Sequence, residues 1–291
     1  AVDIAAPAPP AEAPRRRRFV VADVPFVSEF RWPRLREYHE AEGAKALALS
    51  ARGLIGLAVR RVDPEIARRV ALEECNATVA REVAVLRNYD RCHLYAEGDE
   101  VVWPYHAPPM PPPPHLPATR PVPPVRFDAA AVPLVSDATR RALGEHYATS
   151  PRRRALVLGP NRIDWWTPSV NERDAIRRTL QICGHLAERP CAVYAVDDQV
   201  VIRVPQHHKV TDIFTPQEID RTDRPDRQAI ERYLVADDWR AVAMARDGRL
   251  GIVSGRASED AAVADALEAC RAAGGSDCRL LAIGPFVVDP G

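Results

Sequence analysis

At 291 residues the chain has room for two or three ordinary domains, and its 40 basic and 40 acidic side chains cancel. Balanced charge removes the global field that nucleic acid or an anionic bilayer would exploit, so no nucleic-acid partner is expected. No run approaches the roughly 18 uninterrupted apolar residues of a membrane-crossing helix, so the chain is not expected to span a bilayer.

Residues 1–14, AVDIAAPAPPAEAP, are alanine and proline with little to bury, and are expected to form a flexible or polyproline arm. A first residue that is not methionine fits a mature exported chain, although a removed purification tag leaves the same start. Arg15, Arg16, Arg17 and Arg18 close this stretch, taken as residues 1–18. A solvated junction accounts for them most simply; contact with an acidic partner is the functional alternative.

From there the sequence repeats three times. Val24-Pro25-Phe26-Val27-Ser28 recurs as Val132-Pro133-Leu134-Val135-Ser136, each valine 51 residues before a cysteine; the third copy has no such pair. Tyr38, Tyr147 and Tyr233 each stand 8 residues before the first alanine of KALALS, RALVLG and RAVAMA, the runs that begin at Lys45, Arg154 and Arg240. The segments ahead of the tyrosines, such as 33–39 and 138–147, look helical. After each run a turn (Gly53, Gly159-Pro160-Asn161, Asp247-Gly248) precedes a second apolar stretch, which predicts a hairpin.

A helix is predicted next in every copy. Asp63, Asn171 and Ser258 stand twelve residues before Cys75, Cys183 and Cys270, and their side chains suit an N-cap. Pro64, Glu172 and Glu259 follow at the first helical position. Ala67/Ala71/Leu72/Cys75 recurs as Ala175/Thr179/Leu180/Cys183 and Ala262/Ala266/Leu267/Cys270, a spacing that lines one helix face with small residues and lets it lie close to a sheet. Strands are expected from Cys92, Cys191 and Cys278 onward. Six cysteines allow 15 pairings, and the repeat selects Cys75–Cys92, Cys183–Cys191 and Cys270–Cys278.

The predicted fold is therefore α+β: three tandem disulfide-stapled modules, each a helical entrance, a hairpin, a helix and one or two further strands. The modules are placed at 19–103, 126–205 and 206–289. Residues 104–125, rich in proline, are read as a semi-rigid linker holding the first module some tens of ångströms away, while the other two pack as a pair. Small modules gain most from a staple, and paired cysteines imply an oxidising compartment; a reducing cytosol with six free thiols is the alternative.

The candidate chemistry is sparse. His207 and His208, with Asp212 nearby, form the densest group that titrates near neutrality and are weak metal or acid–base candidates; an exposed junction between modules is the plainer account. His106, Met110 and His115 in the linker offer soft donors for copper, but without a closed geometry. Asp197-Asp198 resembles a carboxylate pair yet sits where the other copies have turns. Neighbours on a strand face opposite ways, so one of Trp165 and Trp166 is expected in the core and the other partly exposed as a partner contact. No phosphate loop, zinc-protease helix, nucleophile elbow or serine triad is recognisable, and no cofactor is expected.

The third copy, with Trp239-Arg240-Ala241-Val242-Ala243, Gly248, Gly251, Ser258, Ala262, Ala266, Cys270 and Cys278, resembles a family of small exported bacterial domains of unknown function. The likeness covers about 50 residues, and the first two copies look like diverged relatives lacking the tryptophan. It implies export, cysteine pairing and a small α+β domain, and it supplies no catalytic residues. The expected function is thus a non-enzymatic, periplasmic or secreted bacterial subunit that engages a protein partner or larger assembly, in the envelope or outside the cell. The alternatives are a periplasmic enzyme or metal-handling protein using His207 and His208, and an inhibitor or immunity-type protein.

Overall fold

The computed structural model describes residues 17–117, 120–121, 123–219 and 227–289; Arg15 and Arg16 lie outside them. Three five-stranded antiparallel sheets carry the fold, and each runs in the same order. In the first module the elements are β1 (Arg17–Arg18), α1 (Trp32–Glu40), β2 (Ala44–Leu49), β3 (Ile55–Arg61), α2 (Pro64–Glu82), β4 (His93–Glu97) and β5 (Glu100–Val101), with strand order β1-β5-β4-β2-β3. The second repeats this as β6 (Val125–Arg126), α3 (Asp137–Ala142), β7 (Arg154–Gly159), β8 (Ile163–Pro168), α4 (Glu172–Ala187), β9 (Ala192–Val196) and β10 (Gln199–Val200). The third does so as β11 (Val210–Ile213), α5 (Arg227–Leu234), β12 (Ala241–Met244), β13 (Leu250–Val253), α6 (Glu259–Ala272), β14 (Arg279–Ile283) and β15 (Phe286–Val288).

The caps form as the sequence requires. The Asp63 carboxylate accepts from Glu65 N and Ile66 N, Asn171 from Asp174 N, and Ser258 from Ala261 N, which satisfies backbone donors that the first turn leaves open. Each capped helix then lays its small-residue stripe on one sheet face. In the first module Ala46, Ala48 and Ala58 meet Ala67, Ala71 and Cys75; in the third, Ala241 and Ala243 meet Ala262, Ala266 and Cys270. Two glycines make this approach possible. A Cβ on Gly56 would lie 2.1 Å from Ala71 O, and one on Gly251 2.1 Å from Ala266 O. The opposite face takes the entrance helix and larger side chains, as Phe214, Ile230, Tyr233 and Val242 show in the third module. Each module is thus three layers deep.

The central strand also carries an equivalent irregularity in each copy. The pairing of β2 with β4 shifts between Leu47 and Ala48, of β7 with β9 between Leu156 and Val157, and of β12 with β14 between Val242 and Ala243.

All three predicted disulfides are present, and no cysteine is free. They tie the C-terminal part of the long helix to the start of the strand beside the hairpin. The first closes a separation of 17 residues and the others 8. A loop of the first size contributes about 3 kcal/mol in the chain-entropy view, the shorter ones about 2.5 kcal/mol. Replacing Cys75 and Cys92 together by alanine is expected to lower the opening free energy of β2 and β4 amides by about 3 kcal/mol. Native-state hydrogen exchange measures this, and unchanged exchange at both strands would contradict it.

Two features differ from the expectation. A fifth, edge strand precedes each entrance helix. Arg17 and Arg18 therefore belong to the first sheet, opposite Val101 and Glu100, rather than to a flexible arm. Val125–Arg126 pairs with β10 in the same way and takes up the end of the supposed linker. A phenylalanine follows or ends each edge: Phe19, Phe127 and Phe214 donate their backbone N–H to Asp99 O, Asp198 O and Pro285 O at 2.8–2.9 Å. Their rings meet Tyr38, Tyr147 and Tyr233 edge-on, at centroid distances of 4.9, 4.7 and 5.5 Å. The described start of the third entrance follows the same plan, with a 3₁₀ turn, Pro216–Glu218, capped by buried Ile219 where the first two have Val24 and Val132.

Second, the proline-rich segment is no free spacer from residue 109 on. The chain divides after Pro108, and residues from Pro109 belong to one compact unit with the second and third modules. Pro109 O sits so near α4 that a Cβ on Gly184 would come within 2.0 Å of it. Within this unit the two modules are joined by Asn161 N donating to Asp212 Oδ1 at 3.0 Å and by Arg189 pairing with Glu218 at 3.4 Å.

Candidate functional site

The polar groups that recur in every module are spent inside it. Tyr38, Tyr147 and Tyr233 are buried, and their hydroxyls donate to Gly98 O, Asp197 O and Gly284 O at 2.8, 2.9 and 2.7 Å. These bonds tie the entrance helix to the turn between the last two strands. Burial first, together with nearby carboxylates, pushes all three phenols upward, so they stay protonated and act as donors.

Beside each tyrosine lies a buried cation. Lys45, Arg154 and Arg240 are 7%, 2% and 1% exposed, and their charged groups stand 5.4, 5.0 and 5.4 Å from the ring centroids. Lys45 donates to His39 O and Ala41 O at 3.0 and 2.9 Å and pairs with Asp99 at 2.8 Å. Arg154 donates to Ser150 O and Ala148 O and pairs with Asp198 at 2.5 Å. Arg240 donates to Ala236 O and stands 3.0 Å from Asp238. The hydrogen bond from Lys45 holds the Asp99 carboxyl below its usual range. Asp197 and Asp198 therefore work within the turn: Asp197 Oδ1 accepts from Arg153 N and Arg154 N, and Asp198 neutralises the buried guanidinium.

The histidine pair docks onto the start of α6. His207 Nδ1 lies 2.9 Å from Asp260 Oδ1 and His208 Nδ1 2.8 Å from Glu259 Oε1, while Glu259 also accepts from Gln206 N and His207 N. Asp260's hydrogen bond and charge raise the His207 pKa, with Glu259 adding to it. Asp212 is turned to the second module. Among the described residues no three of His, Cys, Asp and Glu gather as a metal site would require. His115, in the proline-rich segment, has its Nδ1 at 2.8 Å from Pro111 O.

Trp165 and Trp166 lie on β8, and both are half-buried rather than split between core and surface. Trp166 pairs with Leu156 and meets the Tyr147 ring at 5.9 Å. Trp165 pairs with Val157 and so takes the register position that Gly56 and Gly251 hold in the other modules. The second helix cannot approach its second strand as the other two do. The tryptophans belong to the packing of one module at least as much as to its surface.

What is unique to one module is more informative. Between its cysteines the first module has nine residues more than either relative, 17 against 8. The extra chain lengthens α2 and continues as an ordered turn around Asp90, which is 1% exposed. Its carboxylate receives Arg52 on both oxygens and Arg87 N at 2.8 Å, and Arg52 also lies 5.7 Å over the Tyr89 ring. On this turn Val85 and Leu86 are 63% and 59% exposed. Phe30, 76% exposed, neighbours Arg31, which pairs at 3.0 Å with Glu82 at the end of α2. An anchored turn thus holds apolar side chains in water. The unequal cysteine spacing was the signal for it.

Set against known protein families, curated proteins and solved structures, the chain shows no match.

Proposed function

We propose that the protein is an exported, non-enzymatic binding subunit whose modules engage an envelope or extracellular protein, with the apolar end of the first module as the main contact. The three disulfides favour an oxidising compartment. The tyrosines, buried cations, caps and cysteines that repeat are all committed to the fold, so selective binding falls to what does not repeat. The observation that carries this is the turn at residues 83–91. A buried, doubly paired Asp90 fixes its shape while Val85 and Leu86 stay exposed. Ordering a turn costs conformational entropy, and holding apolar side chains in water gains nothing unless a partner covers them.

The test is native isolation with mass measurement of wild-type protein and of a Phe30→Asp/Leu86→Asp variant. The wild type is expected in a defined complex well above 32.2 kDa, and the variant released from it with unchanged thermal stability. A wild-type monomer, or a variant that stays in the complex, would sink the proposal.

A further inference from the structure

One corner of the first module carries side chains that its fold does not require. Where β3 runs into α2, the strand holds one residue more than its partner, since Ala44 pairs with Arg61 but Ala46 with Ala58. This bulge puts Arg60 in the left-handed region (φ 53°), a position usually given to glycine. The third module makes the same bend with Gly255 (φ 65°), which stands three residues before its helix cap Ser258 as Arg60 does before Asp63. Counted from the caps, Arg60, Val62, Ile66 and Arg69 correspond to Gly255, Ala257, Ala261 and Ala264, while Arg61 corresponds to Arg256, which pairs with Asp265. Small neutral residues thus suffice to build this corner, and the arginines and apolar side chains of the first module answer to something else.

Arg60, Arg61 and Arg69 are exposed and pair with no described carboxylate. Residues 60–69 hold four arginines against two acids, a local surplus that the balanced charge of the whole chain conceals. Both acids are engaged. The Asp63 carboxylate accepts from Glu65 N and Ile66 N, and Glu65 lies 3.8 Å from Arg68, which pairs at 3.0 Å with Glu97. Among these cations Val62 is 94% exposed, and Ile66 is exposed as well.

We propose that this corner docks on an anionic phospholipid surface, with Val62 and Ile66 entering the headgroup layer and Arg60, Arg61 and Arg69 on its phosphates. A guanidinium meets phosphate through parallel, charge-assisted hydrogen bonds. Apolar side chains set among cations are the combination that holds peripheral proteins to an anionic leaflet. A fluid surface also suits the shape: a side chain as exposed as Val62 frames no groove for a protein partner, whereas lipid closes around a projecting group. Val85 and Leu86 follow the far end of α2, 19 residues or about 27 Å long, so docking here leaves the proposed protein contact uncovered. The inference does not rest on that contact, and either can fail alone.

The experiment sediments the full chain with vesicles of equal parts phosphatidylglycerol and phosphatidylcholine, and with vesicles of phosphatidylcholine alone. Binding is expected to the anionic vesicles only, falling as salt screens the charges. Arg60→Gly/Arg69→Ala, which installs the third module's residues, should weaken it roughly 25-fold, about fivefold for each cation. Val62→Ala should weaken it about tenfold. Thermal midpoints should stay unchanged in both variants. Equal binding to the two vesicle types, no binding to the anionic ones, or full binding by the Arg60→Gly/Arg69→Ala variant would overturn the proposal. A wild-type chain that ignores vesicles, with an Arg60→Gly/Arg69→Ala variant that leaves its native complex, would make the corner a protein contact instead. Should that double variant fail to fold, Val62→Ala decides alone, and undiminished binding by it sinks the idea.

Discussion

Arg240→Met is expected to destabilise the third module by about 3–5 kcal/mol, the usual cost of breaking a buried ion pair from one side. Arg240 is the largest fully buried side chain of the described residues, and its guanidinium serves Ala236 O, Asp238 and the face of Tyr233 at once. Methionine fills much of the volume but leaves the Asp238 carboxylate, itself 7% exposed, without its cation. The first module contains the natural control, since Lys45 occupies the same position over Tyr38. Arg240→Lys should therefore cost only about 1 kcal/mol, the charge being kept and one arm of the fork lost. Urea denaturation followed by exchange of β12 and β14 amides separates the two. Equal losses for Met and Lys would show that shape, not charge, is what the site needs.

Gly251→Ala should be nearly as damaging, at about 3 kcal/mol or more. The added methyl would sit 2.1 Å from Ala266 O and 2.3 Å from Cys270 N, and both are backbone atoms of a helix tied down by a disulfide. No rotamer change relieves such a clash; the helix has to lift from the sheet and give up the contacts of its alanine stripe. Gly56→Ala meets the same obstacle in Ala71 O and Cys75 N. Gly144→Ala is the comparison, because its nearest neighbour would be the Ala129 side chain at an ordinary 3.6 Å. Denaturation midpoints that fall equally for Gly144→Ala and Gly251→Ala would refute the close-packing account.

Repetition explains which parts of this molecule could be read in advance. A cap residue, an alanine stripe and a cysteine are each weak signals, but three copies at matching spacing fix the long helices, the hairpins and the disulfides. Where a signal was short or altered, it failed. Strands β1 and β6 are two residues long, too few to show alternation, and Arg17-Arg18 looked like a charge run when it was a sheet edge. The third entrance escaped because Ile219-Asp220 replaces the Val-Pro pair, although Phe214 stands five residues before Ile219 as Phe19 does before Val24. Nothing in the sequence marks Lys45, Arg154 and Arg240 as buried, since a charge at the edge of an apolar run is normally solvated. Only tertiary structure supplies the carbonyls that make their burial tolerable. The same limit applies to the candidate site. His207 and His208 were conspicuous by type, but their carboxylate partners lie some 50 residues away on α6. The only trace in the sequence of the turn that displays Val85 and Leu86 is the wider spacing of the first cysteine pair.

Three sheets of one strand order on a single chain also pose a problem of fidelity during folding. The sheets of the first and third modules offer similar alanine-lined surfaces to a long helix, and misdocking between like neighbours is a characteristic failure of tandem repeats. Trp165 answers this for the second module. With an indole where the others have glycine, its sheet has no seat for α6 or α2, both of which need backbone contact at that point. The indole thereby disfavours docking of the outer modules' helices on the middle sheet, which removes one class of misdocking from a nascent chain.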